Sequence, residues 1–182
     1  MQIVQAPHPV LSEKAKPIIT VTKEIKEFIE YMKKLLLEAS DPEGVGLAAP
    51  QAGKALQLFL TKPTKKSPVK IYINPRLTLL SESDNHKKMT DDPDEVQLEG
   101  CLSLKDIWGT VRRVPKVEIT YMDELGQMHT EKAKGFTATI LQHEFDHLQG
   151  ILFPRRVIEQ NGTLYKSHKD KNGDDIFDPI SV

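Results

Sequence analysis

From Glu24 onward apolar residues recur every three to four positions, at Ile25, Phe28, Ile29, Met32, Leu35 and Leu36, with charged residues between them. That spacing predicts a helix to about Ala39 with one apolar face, and Thr22 stands where a capping hydroxyl is expected. The stripe is core and needs no functional reading. Asp41-Pro42-Glu43-Gly44 ends the helix and leads into Val45 to Gly53, a run of small residues whose backbone a partner can approach closely. Gln57 to Thr61, Lys70 to Ile73 and Lys116 to Met122 read as short strands. The last alternates Val117, Ile119 and Tyr121 with Glu118, Thr120 and Met122. Asp123-Glu124-Leu125-Gly126 turns the chain into a returning strand near Gln127 to Glu131. Phe136 to Gln149 reads as a second helix, and the segment from Val10 to Ile19 as an extended N-terminal arm.

Two stretches break the pattern. Over about 81–97 acidic residues dominate and apolar ones are scarce, which predicts a mobile solvated loop, with an acidic docking surface as the alternative. The polar tail over about 157–182 carries turn signals at Asn161-Gly162 and Asn172-Gly173, and a short strand through Leu164 and Tyr165 that then frays. The 182 residues suit a single catalytic domain over 1–182. With 38% hydrophobic and 28% charged residues and a formal charge of −1, the composition points away from a polyanion binder and from sequence-specific nucleic-acid recognition. No apolar run is long enough for a membrane span and no export signal opens the chain, so a soluble intracellular protein is expected. The one cysteine excludes an intrachain disulfide. No internal repeat, Walker loop or dinucleotide fingerprint occurs.

The chemistry-bearing segment is His143-Glu144-Phe145-Asp146-His147. On a helix the two histidines stand one turn apart on one face and can grip a divalent metal, with Glu144 reaching its water. A histidine pair at this spacing also arises in ordinary helices, one ring buried and the other exposed; the intervening glutamate shifts the reading to a hydrolase. A catalytic centre needs a third protein ligand and an open position. Cys101 is the better candidate because a thiolate binds transition metals strongly, although a lone cysteine is also a common core residue. A closed structural site would need a fourth ligand, for which His8, His86 and His129 remain without supporting spacing.

Together, Gly44-Val45-Gly46-Leu47-Ala48-Ala49-Pro50-Gln51, Glu99-Gly100-Cys101-Leu102-Ser103 and His143-Glu144-Phe145-Asp146-His147 resemble the three motifs of the peptide deformylase family, in the same order. The resemblance covers roughly residues 5 to 155. It implies an α+β fold, with mixed or antiparallel β-sheets packed around a central HExxH-bearing helix. It implies hydrolysis of the N-formyl group of formyl-methionyl nascent peptides with release of formate, metal-bound water attacking the formyl carbon and Glu144 acting as general base and acid. The implied ligands are Cys101, His143 and His147, for Fe(II) natively and Zn(II) or Ni(II) in purified protein. Gln51 and the Leu102 backbone N–H would stabilise the developing oxyanion. Gly44, Val45, Gly46, Glu99, Gly100, Phe136, Thr139 and Ile140 would meet substrate, with Arg113 and Asp146 in support, Arg112 being able to exchange with Arg113.

The resemblance also implies a bacterial-type cytoplasmic setting, an organellar or viral-host one remaining open. Lys105 stands where the family often has proline, and the tail lacks the terminal helix of one major bacterial subclass, which weakens any carry-over of transient ribosome association. A metallopeptidase sharing HExxH and a catalytically inactive formyl-peptide-binding homologue are the competing readings.

Overall fold

The structure, a computed structural model, describes residues 2–40, 43–80 and 98–180. The acidic loop expected over about 81–97 lies outside the described residues. Helix α1 spans Lys23–Glu38 and begins as the sequence predicts, with the Thr22 hydroxyl accepting from the Ile25 N–H. Strands β1 (Gly46–Ala48), β2 (Leu58–Thr61) and β3 (Lys70–Leu79) follow, then β4 (Leu98–Cys101), β5 (Leu104–Thr110), β6 (Lys116–Met122) and β7 (Met128–Lys134). Helices α2 (Phe136–Leu148) and α3 (Phe153–Glu159) and strands β8 (Leu164–Lys169) and β9 (Asp175–Ile180) complete the chain. These form two antiparallel sheets, ordered β1-β2-β3-β6-β7 and β4-β5-β8-β9, so the expected α+β class holds.

The first sheet is buried on both faces at its centre, which explains the unbroken apolar runs Leu58-Phe59-Leu60 and Ile71-Tyr72-Ile73. Alternation along each strand sends Leu58, Leu60, Ile71 and Ile73 toward Phe28, Ile29, Met32, Leu35 and Leu36 of α1. Phe59 and Tyr72 point the other way, joining Val117, Ile119 and Tyr121 beneath Ala138, Leu141 and Leu148 of α2. The motif helix is thereby seated on a sheet that α1 supports from behind. A smaller core of Cys101, Val111, Phe153 and Val157 joins the second sheet to α3.

Three elements depart from the sequence reading. β3 runs on to Leu79 because a register shift between Ile73 and Arg76 accommodates Asn74-Pro75 without ending the pairing with β6. The tail does not fray after Tyr165: β8 pairs with β5 on one side and with β9 on the other. Cross-strand hydrogen bonding and ion pairs such as Lys169–Asp175 hold a hairpin whose residues are too polar to announce it. The N-terminal arm is extended only in part: Pro9–Ser12 form a 3₁₀ turn, and beyond it Ala15 N–H donates to the Leu148 carbonyl at 2.9 Å and Lys16 N–H to the Ala55 carbonyl at 2.8 Å. Among the described residues no helix is long and apolar enough to cross a membrane.

The arm is also anchored by Asn74, whose side chain accepts from Ile18 N–H at 2.8 Å and donates to the Ile18 carbonyl at 2.7 Å from a backbone with φ of 49°. Asn74→Ala removes both bonds and a residue tolerant of that left-handed conformation, and should cost about 1–3 kcal/mol. Urea denaturation checks this; a loss below about 0.5 kcal/mol, the size of an ordinary surface change, would contradict it.

Candidate metal centre

α2 starts at Gly135, whose φ of 58° lets the chain turn sharply out of β7. From this helix His143, Glu144 and His147 project toward β4, where Cys101 ends the strand. The Cys101 Sγ lies 3.3 Å from His147 Nε2, and one donor atom from each of Cys101, His143 and His147 falls within 4.8 Å of the others, all three residues being buried. Two imidazoles and a thiol at that spacing form a donor set suited to a divalent transition metal. The other histidines weighed as ligands are engaged elsewhere. His8 caps the turn at Val10 and His129 meets Asp123; His86 lies outside the described residues.

A chain of buried charge holds the donors in place. His143 Nδ1 lies 2.9 Å from Glu99 Oε2, which leaves its Nε2 for the cluster. Glu99 accepts a forked pair of bonds from Arg113 at 2.7 and 2.9 Å, and Arg113 donates its remaining nitrogen to Asp146 at 2.7 Å. Arg156 closes the other side of Asp146 at 2.6 Å. Burial alone would raise the Glu99 pKa, but the hydrogen bonds and charges of Arg113 and His143 outweigh it and hold the carboxyl at about 2. Glu144 has no such partners: burial pushes its carboxyl up to about 7, and its Oε2 is buried without a hydrogen bond. Burial likewise depresses His147 well below the usual histidine value.

The loop carrying Arg113 is strapped to α2 by Gln142, which accepts from Val114 N–H at 3.1 Å and donates to the Val114 carbonyl at 2.8 Å. This settles the choice between the two arginines. Arg112 turns to Gln160, its Nη2 donating to that residue's carbonyl at 3.1 Å.

In front of the cluster a cleft of about 260 Å³ opens, lined by Val45, Gly46, Gln51, Glu99, Gly100, Cys101, Leu102, Phe136, Thr139, Ile140, His143 and Glu144. Most residues singled out by sequence therefore meet here. Gly44 is not among the lining residues; a Cβ there would meet Leu36 of α1 and Ala39 just beyond its end. Arg113 and Asp146 lie behind the site. Gln51 accepts from Ala48 N–H at 2.8 Å, which directs its Nε2 to the Cys101 sulfur at 3.4 Å. Gly46 is where the fit is tightest: a Cβ there would collide with Glu144 Oε1. Sequence reasoning missed Trp108, Glu43, Gln142 and Arg156. Trp108 and Glu43 line the cleft, and the only local signal for Trp108 was that the chain has a single tryptophan.

A family model for polypeptide deformylase matches residues 1–162. The chain belongs to the polypeptide deformylase family. It is similar to the peptide deformylase of Treponema pallidum (strain Nichols), with 35% identity over 84% of this chain and 85% of that one. With that of Desulforudis audaxviator it shares 34% identity over 91% and 96%. Among solved structures it resembles the peptide deformylase of Thermotoga maritima, with a TM-score of 0.72 and 31% identity over 85% of this chain and 95% of that one. That of Legionella pneumophila gives 0.72 and 30% over 85% and 84%. The metal-dependent deformylase expected from the three motifs is thus the family's own chemistry, on the family's fold and with a matching donor cluster.

Replacing Arg113 in this deformylase by methionine leaves Glu99 and one side of Asp146 buried without their cation. Stability should fall by about 3–5 kcal/mol, and metal affinity roughly 10–100-fold as Glu99, no longer held by the Arg113 fork, orients His143 less firmly. Denaturant unfolding and competitive metal titration check the two effects; unchanged values in both would remove the charge chain from the account.

Proposed function

We propose that Cys101, His143 and His147 hold the metal, natively Fe(II) and in purified protein Zn(II) or Ni(II), and that Glu144 moves the proton in deformylation of formyl-methionyl nascent peptides. The observation that carries this is the buried sulfur and imidazole cluster with the unpartnered Glu144 Oε2 beside it. The donor set fits, since it mixes one soft and two borderline ligands and offers no fourth protein donor among the described residues. When bound, the metal supplies Lewis acidity that acidifies water and polarises the formyl oxygen.

The remaining work falls to side chains. Glu144 Oε2 accepts the proton of the attacking water and returns it to the leaving amine nitrogen. Gln51 Nε2, aimed by the bond between its Oε1 and Ala48, donates to the oxygen on which charge develops, together with the Leu102 N–H. Among the described residues β1 and β4 are each the end strand of their sheet. An extended peptide can add to such edges through main-chain bonds near Val45, Gly46 and Gly100, while Phe136, Thr139 and Ile140 receive the first side chain. That mode tolerates many downstream sequences, as nascent chains require. Transient ribosome association and a bacterial-type cytoplasmic setting belong to the same proposal, supported by family membership alone.

Formate release from formyl-Met peptides by Fe(II)-loaded protein under anaerobic conditions tests the reaction. Release of formate is expected; cleavage of unformylated internal bonds would favour the metallopeptidase, and binding without turnover an inactive homologue. Glu144→Gln should keep its metal and lose roughly 10²–10⁴-fold in kcat. Gly46→Ala, whose methyl collides with Glu144, should also retain metal and lower kcat at least about tenfold through misplacement of the carboxylate. Full activity in either variant would detach Glu144 from the proton transfer.

A further inference from the structure

Trp108 has no part in the steps above, yet it lines the cleft. It pairs with Gly100 across β4 and β5, so its indole shares a sheet face with Gly100 and with Leu98 two residues earlier. Glu99 points to the other face, toward His143 and Arg113. A Cβ on Gly100 would meet three atoms of the six-membered ring at 2.9–3.1 Å; the indole lies across the glycine and supplies the surface that a side chain there would have made. The ring is braced from behind by the C-terminal hairpin. Its N–H donates to Ser167 Oγ at 3.1 Å, and Phe177 meets it edge to face with centroids 5.6 Å apart.

We propose that Trp108 is a specificity-determining residue that reads the second side chain of the formyl-peptide, with Ser167 and Phe177 as its positioning residues. The inference rests on the strand-addition reading given above. A peptide continuing the sheet beyond β4 sends successive side chains to opposite faces. The first enters the pocket under α2 beside Phe136 and Ile140. The second therefore emerges on the face of Leu98, Gly100 and Trp108, where an apolar or aromatic group is buried against the indole and glycine or aspartate gains nothing. The hairpin formed by the polar tail thus acquires a role at the cleft, since it fixes the ring that the substrate meets.

The test compares kcat and KM for formyl-Met-Xaa peptides with Xaa as Leu, Phe, Gly or Asp. The unsubstituted enzyme should favour Leu and Phe over Gly by about fivefold in kcat/KM, expressed in KM. Trp108→Ala should bring the ratio to within about twofold, and Ser167→Ala should lower it part of the way, the change again appearing in KM. No preference in the unsubstituted enzyme, or the same preference in Trp108→Ala, overturns the proposal. Should Trp108→Ala not fold, the emission of this single tryptophan decides in metal-loaded Glu144→Gln. A blue shift with formyl-Met-Leu peptide and none with formyl-Met-Gly supports the contact, and equal spectra refute it. Absence of formate from every peptide would instead refute the proposed reaction, and the fluorescence comparison would still decide the contact.

Discussion

The site depends on one buried arginine. Arg113 binds Glu99 on β4 and Asp146 on α2, and so ties the strand that carries the sulfur to the helix that carries both imidazoles. Among the described residues β4 is only four residues long and lies at the end of its sheet, so this ion-pair tie adds to the packing of Cys101 against Phe153 and Val157 in holding it against α2. Taking three charges out of water is costly, and a guanidinium in forked contact with one carboxylate and single contact with another is among the few geometries that offset it. The same carboxylate that neutralises Arg113 also orients His143. Fold and metal site therefore share a component, and neither can be altered at Glu99 without the other.

Small residues do the complementary work of making room. Gly46 lets β1 pass against the Glu144 carboxylate, and Gly100 lets the Trp108 ring cross β4. The carboxylate is pressed into a dry place with one oxygen unsatisfied, a condition a folded protein tolerates where that group has a partner to meet in function. Glu99, saturated with hydrogen bonds, is held strongly acidic, whereas Glu144, without them, is raised by burial, so two neighbouring carboxylates are set apart by their surroundings.

Much of this was legible in the chain. The α1 stripe, the alternation of β6 and the HExxH spacing are local patterns, and the structure reproduces them with boundaries shifted by a residue or two. Cys101 could be chosen as third ligand from thiolate chemistry, with an ordinary core cysteine as the alternative, and the joint recurrence of three motifs in one family strengthened that choice. What stayed hidden depends on pairing across long separations. The choice of Arg113 over Arg112 follows from the Gln142 strap, the role of Trp108 from Ser167 and Phe177 some sixty to seventy positions later. Strand β9 escaped because its stability comes from its neighbour β8 and from ion pairs, with no apolar rhythm of its own. The close fit of Gly44 against Leu36 and Ala39 was likewise hidden, since it joins residues that local pattern does not connect.

The central claim is that one sulfur and two imidazoles converge on a single metal while a carboxylate stays off it. X-ray absorption at the metal edge of protein loaded anaerobically with Fe(II) tests this directly. The account predicts one sulfur scatterer and two imidazole nitrogens, with the rest of the shell made of light atoms. A shell without sulfur, or with a single imidazole, would contradict it.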